Sequence, residues 1–382
     1  MQTICGISFD KDKAWLGFAN VKKRALKPLE EVEIKLLDKQ NFILKLKTNI
    51  ENIERAIVGI EQKYSISVNK IFLELPSTLT EEKEIDEKVV LSKKKKIKPA
   101  VIKSAKKYIE NKFLEWDQRC IHNIILNYQV KEISSLRAPL GIFTDKIKLK
   151  SLLIYTKDSL CKDVAGIFYN IERNFAGFVA HKISVLSQGP NVSKDNQVVV
   201  SVNGCKSYTV TKDRKGRINE KKFDFSVDKI IKELSYKYSI SPILSYQVLN
   251  RYGSFKNIPY FKEVTIKKED SYLNLSTKAL GNFLKKIFAN NIKLMIERAL
   301  ENIEEEDKSG VVFSFTGPLT VKDGFYNYVR QLLPYNVDVP ADKHQSSSFG
   351  CLHYGQFQLL EKNYEKKYSL LDKIKTVYHE YF

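Results

Sequence analysis

Two distant segments of this chain open in the same way, with an apolar strand, a short polar turn and a second apolar strand. The first runs from Thr3 to Phe9 and from Ala14 to Asn20 around a charged turn. The second runs from Val198 to Val202 and on through Val210 around Asn203 and Gly204. A chain that begins the same motif twice is constrained to a duplicated α/β architecture. It predicts two lobes with a cleft between them, each turn placed as a potential phosphate loop.

The segments between fill in that plan. Glu31 to Leu37 and Phe42 to Leu46 alternate and read as further strands, whereas Ile50, Ile53, Ile57 and Ile60 repeat at helical spacing. Lys70 to Leu75 reads as a compact strand stopped by Pro76. After Thr78 the character changes to a lysine-rich hairpin, an amphipathic helix from Pro99 to Leu114, and strands at Ile121 to Val130 and Lys146 to Tyr155. This stretch reads as an inserted module. A helix from Asp158 to Asn174 returns to the first unit, which ends before the loop Gln188 to Gln197. In the second half, helices at Val227 to Tyr238 and Ser241 to Arg251 precede a two-strand region, a long helix from Thr277 to Glu304 and a buried strand from Val311 to Phe315. The expected domains are 1–79 with 164–195 as the first lobe and 80–163 as the insertion. The second-lobe core takes 196–227 with 308–360, its subdomain 228–307, and a linker with a terminal helix 361–382.

Composition narrows the function classes. With 64 Lys and Arg against 45 Asp and Glu in 382 residues, the formal net charge of +19 predicts attraction to anionic surfaces. The basic run Lys93 to Lys98, broken only by Ile97, reads as a solvated loop; no recognition motif or interleaved aromatic cluster accompanies it, so no nucleic acid is expected as a partner. Five scattered cysteines suggest neither a zinc site nor a disulfide framework, and hence a reducing compartment. The absence of HExxH and GxSxG strings leaves hydrolase chemistry without residues, and no metal site is expected. Charged Asp10, Lys11, Asp12 and Lys13 precede any apolar leader, and no run of 18 apolar residues occurs, so the expectation is a chain neither exported nor membrane-spanning.

The last fifteen residues, Tyr368 to Phe382, separate their faces completely. At about 100° per residue, Leu370, Leu371, Ile374, Val377, Tyr378, Tyr381 and Phe382 fall within an arc of roughly 140°. Lys373 and Lys375 border that arc, where their stems can lie along hydrocarbon with the ammonium among lipid phosphates. A helix lying on an anionic membrane fits this pattern, as does a last helix docked on its own domain. The charged stretch Glu361 to Lys367, which reads as a tether, favours the membrane.

Four strings stand in register along the chain: the strand Val68 to Leu75, the segment from His122 through Tyr128-Gln129-Val130 to Ala138-Pro139-Leu140-Gly141-Ile142, Phe349-Gly350-Cys351-Leu352-His353-Tyr354-Gly355, and the terminal helix. Together they resemble the bacterial cell-division family FtsA, actin-like membrane anchors of FtsZ. The resemblance covers nearly the whole chain. It implies the two-lobed fold of the actin, Hsp70 and sugar-kinase superfamily with an inserted α+β subdomain, self-association into filaments, and a cytoplasmic protein peripheral to the inner face of the membrane at the division site. The FtsZ carboxyl-terminal peptide would dock near the long helix, where Lys285, Lys286 and Lys293 could meet an acidic chain; Ile287 stands near the place of the family's arginine. The inserted module would bind later division proteins and neighbouring protomers.

The departures concern the nucleotide. Actin-type phosphate hairpins need small residues and an acid that organises magnesium. The first hairpin reads Ser8-Phe9-Asp10-Lys11, then Lys13; the second reads Ser201-Val202-Asn203-Gly204-Cys205-Lys206. Asp10 in place of glycine sets a negative side chain where a phosphate would sit, a clash of several kcal/mol in a partly desolvated pocket. Tyr246 and Leu249 occupy the place of the family's nucleoside-holding acid and base, and the adenine-side turn keeps Thr316 and Gly317. The site is therefore expected to be vestigial, with no catalytic residues, and ATP with magnesium a cofactor only if Lys11, Lys13 and Lys206 supply the missing cationic charge. Other readings are a PilM-like pilus-assembly relative, an active ATPase of this superfamily, and a basic nucleic-acid binder.

Overall fold

In the first lobe, apolar runs buried on both faces build a meander before anything else. A computed structural model describes residues 2–10, 12–22, 25–37, 41–135, 138–189, 196–257, 263–268, 271–301, 303–340 and 346–359, with Ser92 by its backbone alone. Strands β1 (Gln2–Asp10), β2 (Lys13–Lys22) and β3 (Ala25–Lys35) pair antiparallel, with Gly6 directly opposite Gly17. Helix α1 (Phe42–Tyr64) follows, so the strand expected at Phe42 to Leu46 is helical instead. Its cause is Asn41, whose Oδ1 accepts from the amides of Ile43 and Leu44 at 2.8 and 3.3 Å and so fixes the first turn. Leu46, Ile53, Ile57 and Ile60 then face the core, and Ser65 at φ 51° ends the helix. Strand β4 (Val68–Leu75) lies parallel to β1.

The inserted module comes next. Its strands are β5 (Glu81–Lys96), β6 (Gln118–Val130), β7 (Ile133–Ser135) and β8 (Phe143–Lys157), with α2 (Pro99–Phe113) after β5. All pairings are antiparallel in the order β5-β8-β6-β7, and the expected lysine-rich hairpin is one long strand laid along β8. Ile102, Ala105 and Ile109 of α2 join Ile85, Val89, Ile147, Leu149 and Leu153 in one core. Helix α3 (Asp158–Asn170), strand β9 (Phe175–Ala180) and helix α4 (His181–Ser187) follow; β9 completes the first sheet in the order β3-β2-β1-β4-β9.

The second half repeats the pattern. Strands β10 (Gln197–Val202), β11 (Ser207–Lys212) and β12 (Ile218–Phe223) form a meander. Helices α5 (Val227–Tyr238) and α6 (Pro242–Tyr252), the hairpin β13 (Glu263–Lys268) and β14 (Ser271–Ser276), and the helix α7 (Thr277–Leu300) come next. Strand β15 (Val312–Thr316), helix α8 (Phe325–Leu332) and strand β16 (Asn336–Val337) close a sheet ordered β12-β11-β10-β15-β16. In both sheets two antiparallel pairings are followed by two parallel ones.

The described residues form two compact units. One comprises those through Ser184 with those from Ser348 on; the other is Val185–Ser347. A last helix, α9, spans 348–359 and packs in the first unit, although its sequence was grouped with the second-lobe core. Glycines allow that packing. A Cβ on Gly6 would stand 2.2 Å from the Ser348 carbonyl oxygen, and one on Gly350 would stand 1.9 Å from that of Ser184. No described helix is long and apolar enough to cross a membrane. The expected membrane helix 368–382 lies outside the described residues.

Candidate functional site

The two hairpins that the sequence marks as phosphate loops sit at the carboxyl ends of β1 and β10, each of which also has a parallel neighbour, and the carboxyl ends of parallel strands are where ligands characteristically bind in α/β sheets. In the first, Ser8 is buried and Asp10 pairs in register with Lys13. Lys13 reaches across the meander to Glu33, with Nζ to Oε1 at 2.7 Å. The Asp12 carbonyl accepts from the Leu36 amide at 2.8 Å, which ties the turn to the end of β3. Lys11 lies outside the described residues.

In the second hairpin, Ser201 Oγ donates to Asn203 Oδ1 at 3.0 Å, and the Asn203 amide donates to the Lys206 carbonyl at 3.2 Å. The start of α5 closes over it: the Val227 amide donates to the Asn203 carbonyl at 3.0 Å, and the Asp228 amide to the Gly204 carbonyl at 2.8 Å. Ser226 Oγ caps the Lys229 amide at 3.2 Å. Amides that would otherwise attract an anion at this helix terminus are thus engaged, and Asp228 adds negative charge to the first turn. Lys206 forms an ion pair with Asp224, and that hydrogen bond holds the Asp224 carboxyl below its usual range.

Of the three lysines proposed to replace magnesium, Lys13 and Lys206 are therefore already matched with carboxylates inside their own lobes. Gly317 is needed for the backbone: at φ +111°, a Cβ there would stand 2.2 Å from the Val202 carbonyl oxygen. Thr316 hydrogen-bonds Gln188, whose Nε2 in turn donates to the Ser346 carbonyl at 2.9 Å. Leu249, where a nucleoside-binding base would stand, is in the second unit's core.

The residues expected to meet an acidic peptide divide. Lys285 Nζ donates to Asn257 Oδ1 at 2.6 Å and to the Lys256 carbonyl at 3.2 Å, and lies 5.7 Å from the Tyr328 ring centre. Burial pushes its pKa down. Lys286 and Lys293 are exposed on α7, with half-exposed Leu294 beside them, and Ile287 is buried in the core. Two of the three thus share an accessible stripe, while Lys285 stabilises the 256–257 turn.

Two histidines that no catalytic motif marks join neighbouring elements. His122 of β6 is 3% exposed; its Nε2 accepts from the Ala180 amide at 2.9 Å, which places its proton on Nδ1, 2.8 Å from Tyr354 Oη of α9. Gln358 Nε2 donates to the same oxygen at 2.8 Å. Burial pushes the imidazole pKa down to about 3, so His122 is a neutral brace between the inserted module, β9 and α9. His181 Nδ1 lies 3.0 Å from Glu74 Oε1, both buried at the carboxyl edge of the first sheet. Two of the four strings quoted for the family resemblance each contain a member of this brace, His122 in one and Tyr354 in the other, and that was the available signal. Glu74 lies in a third of those strings, and His181 in none of them. Among the described residues no cluster of His, Cys, Asp and Glu could hold a metal.

No protein-family model matches the chain, and no curated protein matches it in sequence. Solved structures match it in fold. It is similar to a chain of a PilM–PilN type IV pilus biogenesis complex, with a TM-score of 0.54 and 8% identity over 91% of this chain and 89% of that one. It is also similar to the ethanolamine utilization protein EutJ from Carboxydothermus hydrogenoformans, with a TM-score of 0.53 and 8% identity over 92% and 90% of the two chains. A diol dehydratase-reactivating factor in nucleotide-free form gives a TM-score of 0.51 and 9% identity over 95% and 100%. The fold is actin-like.

Proposed function

We propose that this chain is an actin-fold scaffold that fastens FtsZ filaments to the inner face of the cytoplasmic membrane, with a nucleotide site whose chemistry has lapsed. One observation carries the reading: the complete separation of apolar and polar faces over Tyr368 to Phe382, in register with three FtsA-like strings on an actin-like frame. Full burial of an aliphatic or aromatic side chain contributes about 1.5–3 kcal/mol, but interfacial burial is partial and the helix must order on binding. A single anchor is therefore weak, and self-association would multiply it through effective concentration. The exposed Lys286 and Lys293 supply charge for the acidic FtsZ peptide, and the inserted module offers a surface to later division proteins.

Vesicle co-sedimentation tests the anchor. Leu371→Glu with Ile374→Glu in the full chain should weaken binding to anionic vesicles by about 100-fold or more, the effect of removing two buried apolar contacts. Unchanged binding would refute the anchor. A pilus-assembly role is the second reading, favoured by the likeness to a PilM–PilN complex. Side-by-side titration with an FtsZ carboxyl-terminal peptide and a PilN peptide decides between them: saturable binding of the first alone supports division, and of the second alone supports the pilus.

A further inference from the structure

The lysine run that reads as a plain solvated loop in sequence has a defined place at one end of the inserted module. Strand β5 pairs with β8 from Glu81 opposite Tyr155 to Val90 opposite Lys146; the register then breaks and resumes at Lys95 opposite Thr144 and Lys96 opposite Phe143. Residues 91–94 are accommodated in that irregularity. Mutual hydrogen bonds of 2.9 Å, from the Ile97 amide to the Ile142 carbonyl and from the Gly141 amide to the Ile97 carbonyl, close this end. Ile97 is buried in the module's core while Lys93, Lys94, Lys96 and Lys98 around it are exposed.

Carboxylates pair with lysines in the middle of the β5–β8 ladder but not at this end. Further along, Lys148 pairs with Asp86, Lys150 with Glu84, and Lys112 with Glu87. Among the described residues Lys88, Lys93, Lys94, Lys95, Lys96 and Lys146 form no ion pair, and Asp145 is the one acid in the adjoining stretch of β8 from Phe143 to Lys150. Three large apolar side chains stand out among these lysines: Val90 is 72% exposed, Phe143 57% and Leu140 53%. The cluster occupies the start of β8, and α3 begins directly after its other end, roughly 45 Å away at about 3.3 Å per residue.

We propose that this end of the inserted module is a lipid-contact surface for anionic headgroups, a second membrane contact separate from the terminal segment. Unpaired ammonium groups complement the negative potential of an acidic leaflet, and apolar side chains set singly between them can enter the headgroup boundary. A peptide adding to the edge of β5 fits less well, because lysines and a register break are features that oppose strand addition. The inference does not rest on the terminal anchor; the cluster would hold anionic lipid with that segment silenced.

The test uses the full chain carrying Leu371→Glu and Ile374→Glu, with phosphatidylcholine vesicles either alone or mixed with phosphatidylglycerol. Residual binding to the mixed vesicles alone is expected, and it should weaken as salt is raised. Adding Lys93→Glu, Lys94→Glu and Lys96→Glu should reduce it about 100-fold, at roughly five-fold per lysine. Phe143→Ser should reduce it a further few-fold, with thermal unfolding unchanged throughout. No binding by the anchor-silenced chain would overturn the inference while leaving the anchor intact. Undiminished binding after the triple reversal would overturn it too, as would a triple reversal that abolishes retention of an acidic polypeptide while sparing the vesicles.

Discussion

The two central sheets share one strand order, yet they are held by different means. In the first, the opposed Gly6 and Gly17 let α9 lie against the backbone itself. In the second, β10 is buried along its whole length, and the core is filled by volume, with Phe255, Phe288 and Phe325 meeting edge to face at 5.3–5.5 Å. Neither arrangement uses the hairpins that would hold a nucleotide. What stabilises each sheet therefore lies away from its hairpin.

Substitutions can break that comparison. The largest effect is expected in the second unit, where Phe288→Ala should lose about 3–5 kcal/mol in urea unfolding. In the first, Gly6→Ala should lose about 2–3 kcal/mol, since a Cβ 2.2 Å from a backbone oxygen forces α9 away. A neutral Gly6→Ala would show that α9 does not rest on the sheet in this way.

The His122 brace adds a pH dependence to the first unit alone. Its pKa is about 3 when folded and near the ordinary 6.5 when unfolded, so below pH 6.5 only the unfolded chain takes up the proton. The contribution is complete above pH 6.5 and is lost as pH falls towards 3, at up to about 1.4 kcal/mol per pH unit. Replacement by Gln should flatten the slope of stability against pH over that range; an unchanged slope would assign the acid sensitivity elsewhere. Smaller still, Gly59→Ala on α1 meets open space and should gain about 0.5–1 kcal/mol. Lys286→Glu on α7 should leave stability within about 0.5 kcal/mol, and so can be used to test peptide binding without disturbing the fold.

Much of the frame was legible because burial leaves a pattern. Helix α5 was expected over the residues it occupies, and β4, β6, β8, β10 and β15 fall where apolar runs placed them. Errors came where neighbours, not the local sequence, decide the structure. Strand β12 is mostly polar and exists through its pairing with β11 at the sheet edge. The residues Phe42 to Leu46 alternate like a strand, but one hydrogen-bonding side chain at Asn41 starts a helix. The make-up of the two hairpins could be read from residue types alone. That Lys13 and Lys206 are paired with Glu33 and Asp224 could not, because those partners approach through strand register and loop placement.

Isothermal titration of the full chain with ATP and magnesium bears most directly on the claim that an actin-like frame outlived its nucleotide chemistry. The account predicts no saturable heat up to millimolar nucleotide. Saturable binding in the micromolar range would contradict it, and would mean that Asp10 and the lost hairpin glycines do not exclude a phosphate.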